Sequence, residues 1–198
     1  MLRLVLIRLA ILAVAQTVPT PMEEIRETIQ KLKHIVSDPS LKSESKKKER
    51  RERIRFAILE RIDISEMGRR ALGIHWQART ETERREYLDV FGKYIESLYR
   101  KNIFESVEFI QSTNIRFLKE RIDGDFAEIE LSISSSPEDT KITFKLRLIN
   151  NHWKAYDIVI IGISQVSNIR SQFNRIMNEN NEFPFQELLK RMRDKITD

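Results

Sequence analysis

Side chains suited to acid–base or metal chemistry are few in this chain of 198 residues. His34, His75 and His152 lie far apart in sequence, and none has a neighbouring partner to tune or orient its ring. Each reads as a surface or boundary histidine, with spatial convergence left open. Asp63 and Glu66 have the spacing of a helix cap and its third residue, which is a commoner role than paired catalytic carboxylates. Glu128 and Glu130 alternate with apolar residues and read as the wet face of a strand. Trp76 and Trp153 could stack on a ring-shaped ligand or a base, but burial is the usual fate of tryptophan. No G-x-S-x-G, P-loop, G-x-G-x-x-G or H-E-x-x-H pattern occurs. With no cysteine there are no disulfides, zinc ribbons, thiol nucleophiles or iron–sulfur clusters. Neither a catalytic constellation nor a metal site is expected, and the chain reads as a non-enzyme.

The formal net charge is +5, an excess that favours approach to phosphates of nucleic acid or of a membrane. The start of the chain qualifies it. Arg3 and Arg8 precede and adjoin the apolar stretch Leu9 to Ala15, which closes on the small-residue triplet Ala13-Val14-Ala15. That order matches a secretory signal over residues 1–15, and the apolar stretch is too short to span a bilayer. Loss of the segment takes Arg3 and Arg8 and lowers the net charge from +5 to +3. The densest charge run, Lys46-Lys47-Lys48-Glu49-Arg50-Arg51-Glu52-Arg53, lacks the interleaved aromatics that single-stranded nucleic acid would need. Glu44 with Lys48 and Glu49 with Arg53 suit a solvated helical face, so no nucleic-acid partner is expected.

Several cap patterns fix where helices must begin. Thr20-Pro21-Met22-Glu23 starts one whose stripe is Ile25, Ile29, Leu32 and Val36, ending near Asp38-Pro39. The charged helix follows, its apolar side continuing through Phe56, Ala57, Leu59 and Ile62 toward the core. Asp63 opens a short helix with Met67 and Leu72 that Gly73 stops, and Thr80-Glu81-Thr82-Glu83 opens a long one. On the long helix Leu88, Phe91, Ile95 and Leu98 keep helical spacing and Tyr87, Tyr94 and Tyr99 widen the face. Such a stripe is either ordinary core or one wall of a pocket for an apolar ligand, and periodicity does not separate the two.

From Phe104 the period changes. Val107 to Gln111 and Ile115 to Ile122 are expected as strands. Two alternating runs follow, Ala127, Ile129, Leu131, Ile133 and then Ile142, Phe144, Leu146, Leu148. Asp123-Gly124 and Asn150-Asn151 suit tight hairpins, so the sheet is antiparallel. The last strand, Trp153 to Ile161, is apolar on both faces and needs a cover, which the helix beginning near Ser164 can supply. The expected fold class is α+β, helices packed on a curved antiparallel sheet, with one domain over residues 16–198.

The C-terminal third carries a long motif: Trp153-Lys-Ala-Tyr156-Asp157, then Gly162-Ile-Ser164, then Val166-Ser-Asn168-Ile-Arg170-Ser-Gln172-Phe173. It resembles the signature of the MlaC family, the phospholipid-binding proteins also called toluene-tolerance or ABC-transporter auxiliary proteins. Met67-Gly-Arg-Arg-Ala-Leu-Gly73-Ile-His-Trp76 is similar to that family's helical pattern. The chain departs from it at Ile161, where an acidic residue is frequent, at Gln165, where leucine is common, and at Ile169, where tyrosine is usual.

The resemblance implies a fold enclosing an apolar lipid cavity, with bound phospholipid as cargo and no other cofactor. It implies a periplasmic shuttle between an outer-membrane lipoprotein complex and an inner-membrane ABC transporter with an MCE-domain subunit, maintaining outer-membrane lipid asymmetry. The alternatives are a carrier of another lipid, such as a hopanoid, or a small-ligand-binding or enzymatic domain on the same scaffold. Cavity candidates are Phe91, Ile95, Leu98 and Tyr99 from the long helix, Ile129, Leu131, Ile142, Phe144, Leu146 and Leu148 from the strands, and Val166 and Phe173 from the following helix. Asp157, Asn168 and Arg170 are expected to be framework polar groups, with Arg170 or backbone amides after the strand as donors to Asp157.

Overall fold

The computed structural model describes residues 18–110, 113–135, 138–179 and 182–197, with backbone alone over 99–110 and at Ser135 and Glu138. The expected leader, residues 1–15, and the side chain of Tyr99 lie outside the described residues. Helices α1 (Pro21–Ser37), α2 (Lys47–Leu59), α3 (Ile64–Leu72) and α4 (Glu81–Ile110) precede strands β1 (Asn114–Asp123), β2 (Phe126–Ser135), β3 (Glu138–Ile149), β4 (His152–Ile160) and β5 (Ile163–Ser164). Helices α5 (Gln165–Met177) and α6 (Pro184–Thr197) close the chain. The sheet is an open antiparallel meander in the order β1-β2-β3-β4-β5, and the fold is α+β.

The helix starts follow the cap chemistry. Thr20 Oγ1 accepts the amide of Glu23 at 3.2 Å while Glu23 accepts the amide of Thr20 at 2.7 Å. Thr80 and Glu83 repeat this reciprocal box at 3.3 and 2.7 Å, and Asp63 accepts the amide of Glu66 at 3.0 Å. Gly73, at φ 59°, ends α3 in a backbone conformation that side chains with a Cβ rarely adopt.

Two expectations are corrected. Val107 to Ile110 is the last turn of α4 and not a strand: Phe104, Val107 and Ile110 keep a spacing of three, and the helix begun at Thr80 runs on through them. Phe56 is 63% exposed; α2 buries the expected Ala57 together with Ile54, because these two pack against Leu32 and Val36 of α1, and Arg55 pairs with Glu96 of α4 at 2.5 Å.

Register assigns the faces of the sheet, since residues opposite one another in an antiparallel pair share a face. Ala127, Ile129 and Leu131 stand opposite Leu146, Phe144 and Ile142. On the other side of β3, Leu148 faces Trp153, Leu146 faces Ala155, Phe144 faces Ile158 and Ile142 faces Ile160. On β1, Phe117 faces Leu131 and Ile115 faces Ile133. All of these form one dry face. A bulge in β4 leaves Tyr156 unpaired between Ala155 and Asp157, so Asp157 stands opposite Lys145 on the other face.

Among the described residues the apolar side chains form three clusters: a small one that packs α2 on α1 through Leu32, Val36, Ile54 and Ala57, and two larger ones. One joins α3, α4, α5 and α6 around Tyr87, Phe91, Phe173 and Leu188. The other lays α1, through Met22, Ile25 and Ile29, on the dry face of the sheet. Polar ties fix α1 there. Glu24, 2% exposed, accepts the Trp153 amide at 2.7 Å and pairs with Arg61, which also donates to the Trp153 carbonyl at 3.0 Å. At the start of α1 the Met22 amide donates to Glu120 of β1 at 2.8 Å.

Candidate functional site

The three histidines stand on different elements. His34 is exposed on α1, His75 is half-buried after α3, and His152 contacts Glu24 at 2.8 Å. Among the described residues no group of three or more histidines and carboxylates could hold a metal ion. Asp63 and Glu66 are structural: both are buried, Asp63 caps α3 and pairs with Arg147 at 2.7 Å, and Glu66 pairs with Arg69 and Arg70 at 2.7 Å each. Burial raises the Glu66 carboxyl, but the hydrogen bonds and charges of Arg69 and Arg70 outweigh it and hold the group below its ordinary range. Trp153 is buried and donates its ring N–H to the Pro19 carbonyl at 3.1 Å, while Trp76 is half-buried against Tyr87.

The cavity candidates divide between the two larger clusters. Phe91, Ile95, Val166 and Phe173 sit in the helical core, each at most 5% exposed, with the Phe91 and Phe173 rings edge-to-face at 6.2 Å. Ile129, Leu131 and Leu146 are buried on the sheet, under or beside α1. Ile142, Phe144 and Leu148 share that dry face but remain half-buried, and Leu98 on α4 is 37% exposed.

The sheet thus has a closed part and an open part. Ala127, Leu146, Trp153 and Ala155 are sealed. Ile115, Phe117, Ile133, Ile142, Phe144 and Ile158 stay partly accessible, and Ile160 is 37% exposed at the margin. An apolar surface left half-open in a folded chain still gains by covering more of itself. Its chemistry is that of hydrocarbon contact. Sequence reasoning missed Ile115, Phe117, Ile158 and Ile160 as members of this face. Pairing the alternating runs into a register would have found them.

The signature segment links the sheet to the helical layer. Asp157 accepts the Ser164 hydroxyl at 2.6 Å and the Val166 amide at 3.1 Å, while Ser164 accepts the Ser167 amide at 3.0 Å as the α5 cap. Asp157 is therefore a framework group satisfied by the first turn of α5. Arg170 is not its donor; it donates to the Arg70 carbonyl at 2.8 Å and packs on Gly73. Asn168 is exposed and accepts from Gln172 on its own helix at 3.4 Å, so it ties no other element among the described residues. Ile161, 71% exposed, adopts φ 50° in the turn before Gly162, a strained conformation for a β-branched residue.

Among curated proteins the chain is similar to the intermembrane phospholipid transport system binding protein MlaC of Haemophilus influenzae, at 25% identity over 130 residues. That match covers 64% of this chain and spans 60% of the relative's length. Among solved structures it is similar in fold to the phospholipid-binding protein of Ralstonia solanacearum in complex with a phospholipid, with a TM-score of 0.69 at 16% identity. The superposition covers 88% of this chain and 95% of that one. The family model described as MlaC protein matches residues 26–194, from the first helix that seals the sheet to the last helix of the core, and so this chain belongs to the MlaC family.

Proposed function

We propose that the chain binds a phospholipid non-covalently and carries it through water, with an acyl tail laid along the open part of the dry face. The observation that carries the reading is the row Ile142, Phe144, Ile158 and Ile160, apolar, contiguous in register and incompletely covered. Support comes from family membership and from the Ralstonia protein of the same fold, which holds a phospholipid. A tail of ~16 carbons exposed to water costs on the order of 13 kcal/mol, which makes unassisted crossing of an aqueous gap rare. A carrier removes that cost without chemistry, so the chain acts without a catalytic residue and its only bound group is its cargo. The route is periplasmic, from an outer-membrane lipoprotein complex to or from an inner-membrane ABC transporter bearing an MCE-domain subunit. No helix among the described residues is long and apolar enough to cross a membrane, which fits a carrier that leaves both bilayers.

Uptake tests the reading. Chain stripped of lipid in denaturant and refolded is mixed with vesicles containing a phospholipid that bears a fluorescent tail, then separated from them. Saturable uptake of lipid is expected, and a folded chain that takes up none overturns the proposal.

A further inference from the structure

The positive charge of this chain is concentrated in one place. Residues 42–55 hold eight of its 35 basic and three of its 30 acidic residues, which leaves 27 of each sign elsewhere. The segment comprises a short 3-10 turn and most of α2, on the outside of the helical layer. Lys42, Lys46, Lys48, Arg51 and Arg53 are exposed, and Phe56 projects 63% exposed from the same helix with the Arg55 guanidinium 5.3 Å from its ring.

We propose that α2 is a docking surface for an anionic membrane leaflet. Lysines and arginines meet the headgroup phosphates while Phe56 sits at the level of the headgroups. Charge complementarity argues for this occupant: a compact +5 segment on a chain otherwise neutral, or at −2 without Arg3 and Arg8, orients the molecule in the field of an anionic surface and brings α2 to it first. Its internal ion pairs do not oppose this. Glu44 holds Lys47 at 3.2 Å, Glu49 holds Lys46 at 2.8 Å and Arg53 at 2.6 Å, and Glu52 approaches Arg55 at 3.5 Å, all at the surface, where such pairs contribute little and exchange readily for phosphate. A single exposed aromatic beside basic residues suits a headgroup layer, whereas stacking on a nucleic acid needs several. The inference is independent of cargo, since α2 contributes nothing to the dry face.

The test is sedimentation of the chain with two sets of vesicles, phosphatidylcholine alone and phosphatidylcholine mixed in equal parts with phosphatidylglycerol. The expected result is association with the anionic set only, falling steeply with added salt. Replacing Lys42, Lys46 and Lys48 together by Glu places acidic groups at the start of α2, where the helix dipole tolerates them, and is expected to weaken association about a hundredfold or more. A second variant, Phe56→Ser, removes an exposed ring and is expected to weaken association while leaving the salt dependence unchanged. Equal binding by the triple variant, equal binding to both vesicle sets, or tighter binding to duplex DNA or to an acidic protein than to the anionic vesicles overturns the proposal. Lipid extracted from the same triple variant separates this inference from the carrier reading. Unchanged cargo with lost docking supports the surface role of α2, and a wild-type chain that docks but holds no lipid defeats the carrier reading alone.

Discussion

The buried carboxylate of Glu24 accepts the backbone amide of Trp153 at 2.7 Å, joining α1 to a strand 129 positions later in the chain. Arg61 grips the same carboxylate and the Trp153 carbonyl, so one acidic group holds α1, the segment before α3 and β4 in fixed relation. That clamp ties α1 to the strand beside which it packs on the dry face. Glu24→Ala leaves the largely buried Arg61 guanidinium uncompensated and the Trp153 amide without an acceptor. It is expected to cost about 3–5 kcal/mol, a fall of roughly 10 °C in Tm measured by circular dichroism.

Asp157 does the corresponding work between the sheet and α5. Asp157→Ala removes the acceptor of the Val166 amide and the Ser164 hydroxyl, and a loss of about 1–3 kcal/mol is expected by urea unfolding. Stability is expected to fall at least as much as lipid occupancy. A variant that melts normally yet comes out empty would move Asp157 from the framework to the lipid site.

The helical cluster and the open part of the sheet are expected to separate stability from cargo. Phe91 is fully buried and stacks on Tyr87 at 5.5 Å, so Phe91→Ala is expected to cost about 3–5 kcal/mol, with lipid still bound at temperatures where the chain stays folded. Phe144 is half-buried on the open face. Phe144→Asp sets a carboxylate against hydrocarbon and is expected to lower lipid occupancy about tenfold or more with a smaller effect on unfolding. Lipid content and Tm measured on both variants check the division.

Glu66 supplies an acid limb to the stability profile. Its carboxyl is raised by burial but lowered further by Arg69 and Arg70, ending below its ordinary 4.5 in the folded chain. A depressed carboxylate adds stability that is complete above 4.5 and is lost as pH falls through the folded value. Urea midpoints taken from neutral pH into the acid range are expected to drop below that point, and Glu66→Gln is expected to flatten part of the drop.

Much of this architecture is legible in the chain because its signals are local. Thr20 with Glu23 and Thr80 with Glu83 satisfy backbone groups within one turn, and the alternation from Ala127 to Ile133 is a property of the strand itself. What is not legible depends on distant partners. Phe56 reads as core until α1 and α4 set the facing of α2, and Val107 to Ile110 is too short an apolar run to distinguish the end of a helix from a strand. The bulge at Tyr156 moves Asp157 to the opposite face from the one that simple alternation assigns. Glu24 is buried only because His152, Trp153 and Arg61 converge on it. The candidate lipid face was legible in part: its β2 and β3 residues follow from alternation, whereas Ile158 and Ile160 join them only through register.

On the proposed function, the open part of the dry face shelters an acyl chain. The most direct measurement is mass spectrometry of lipid extracted from the chain purified without detergent. About one phospholipid per folded chain is expected, reduced in Phe144→Asp and retained in Phe91→Ala. A folded wild-type chain that yields no lipid and accepts none from vesicles would contradict it.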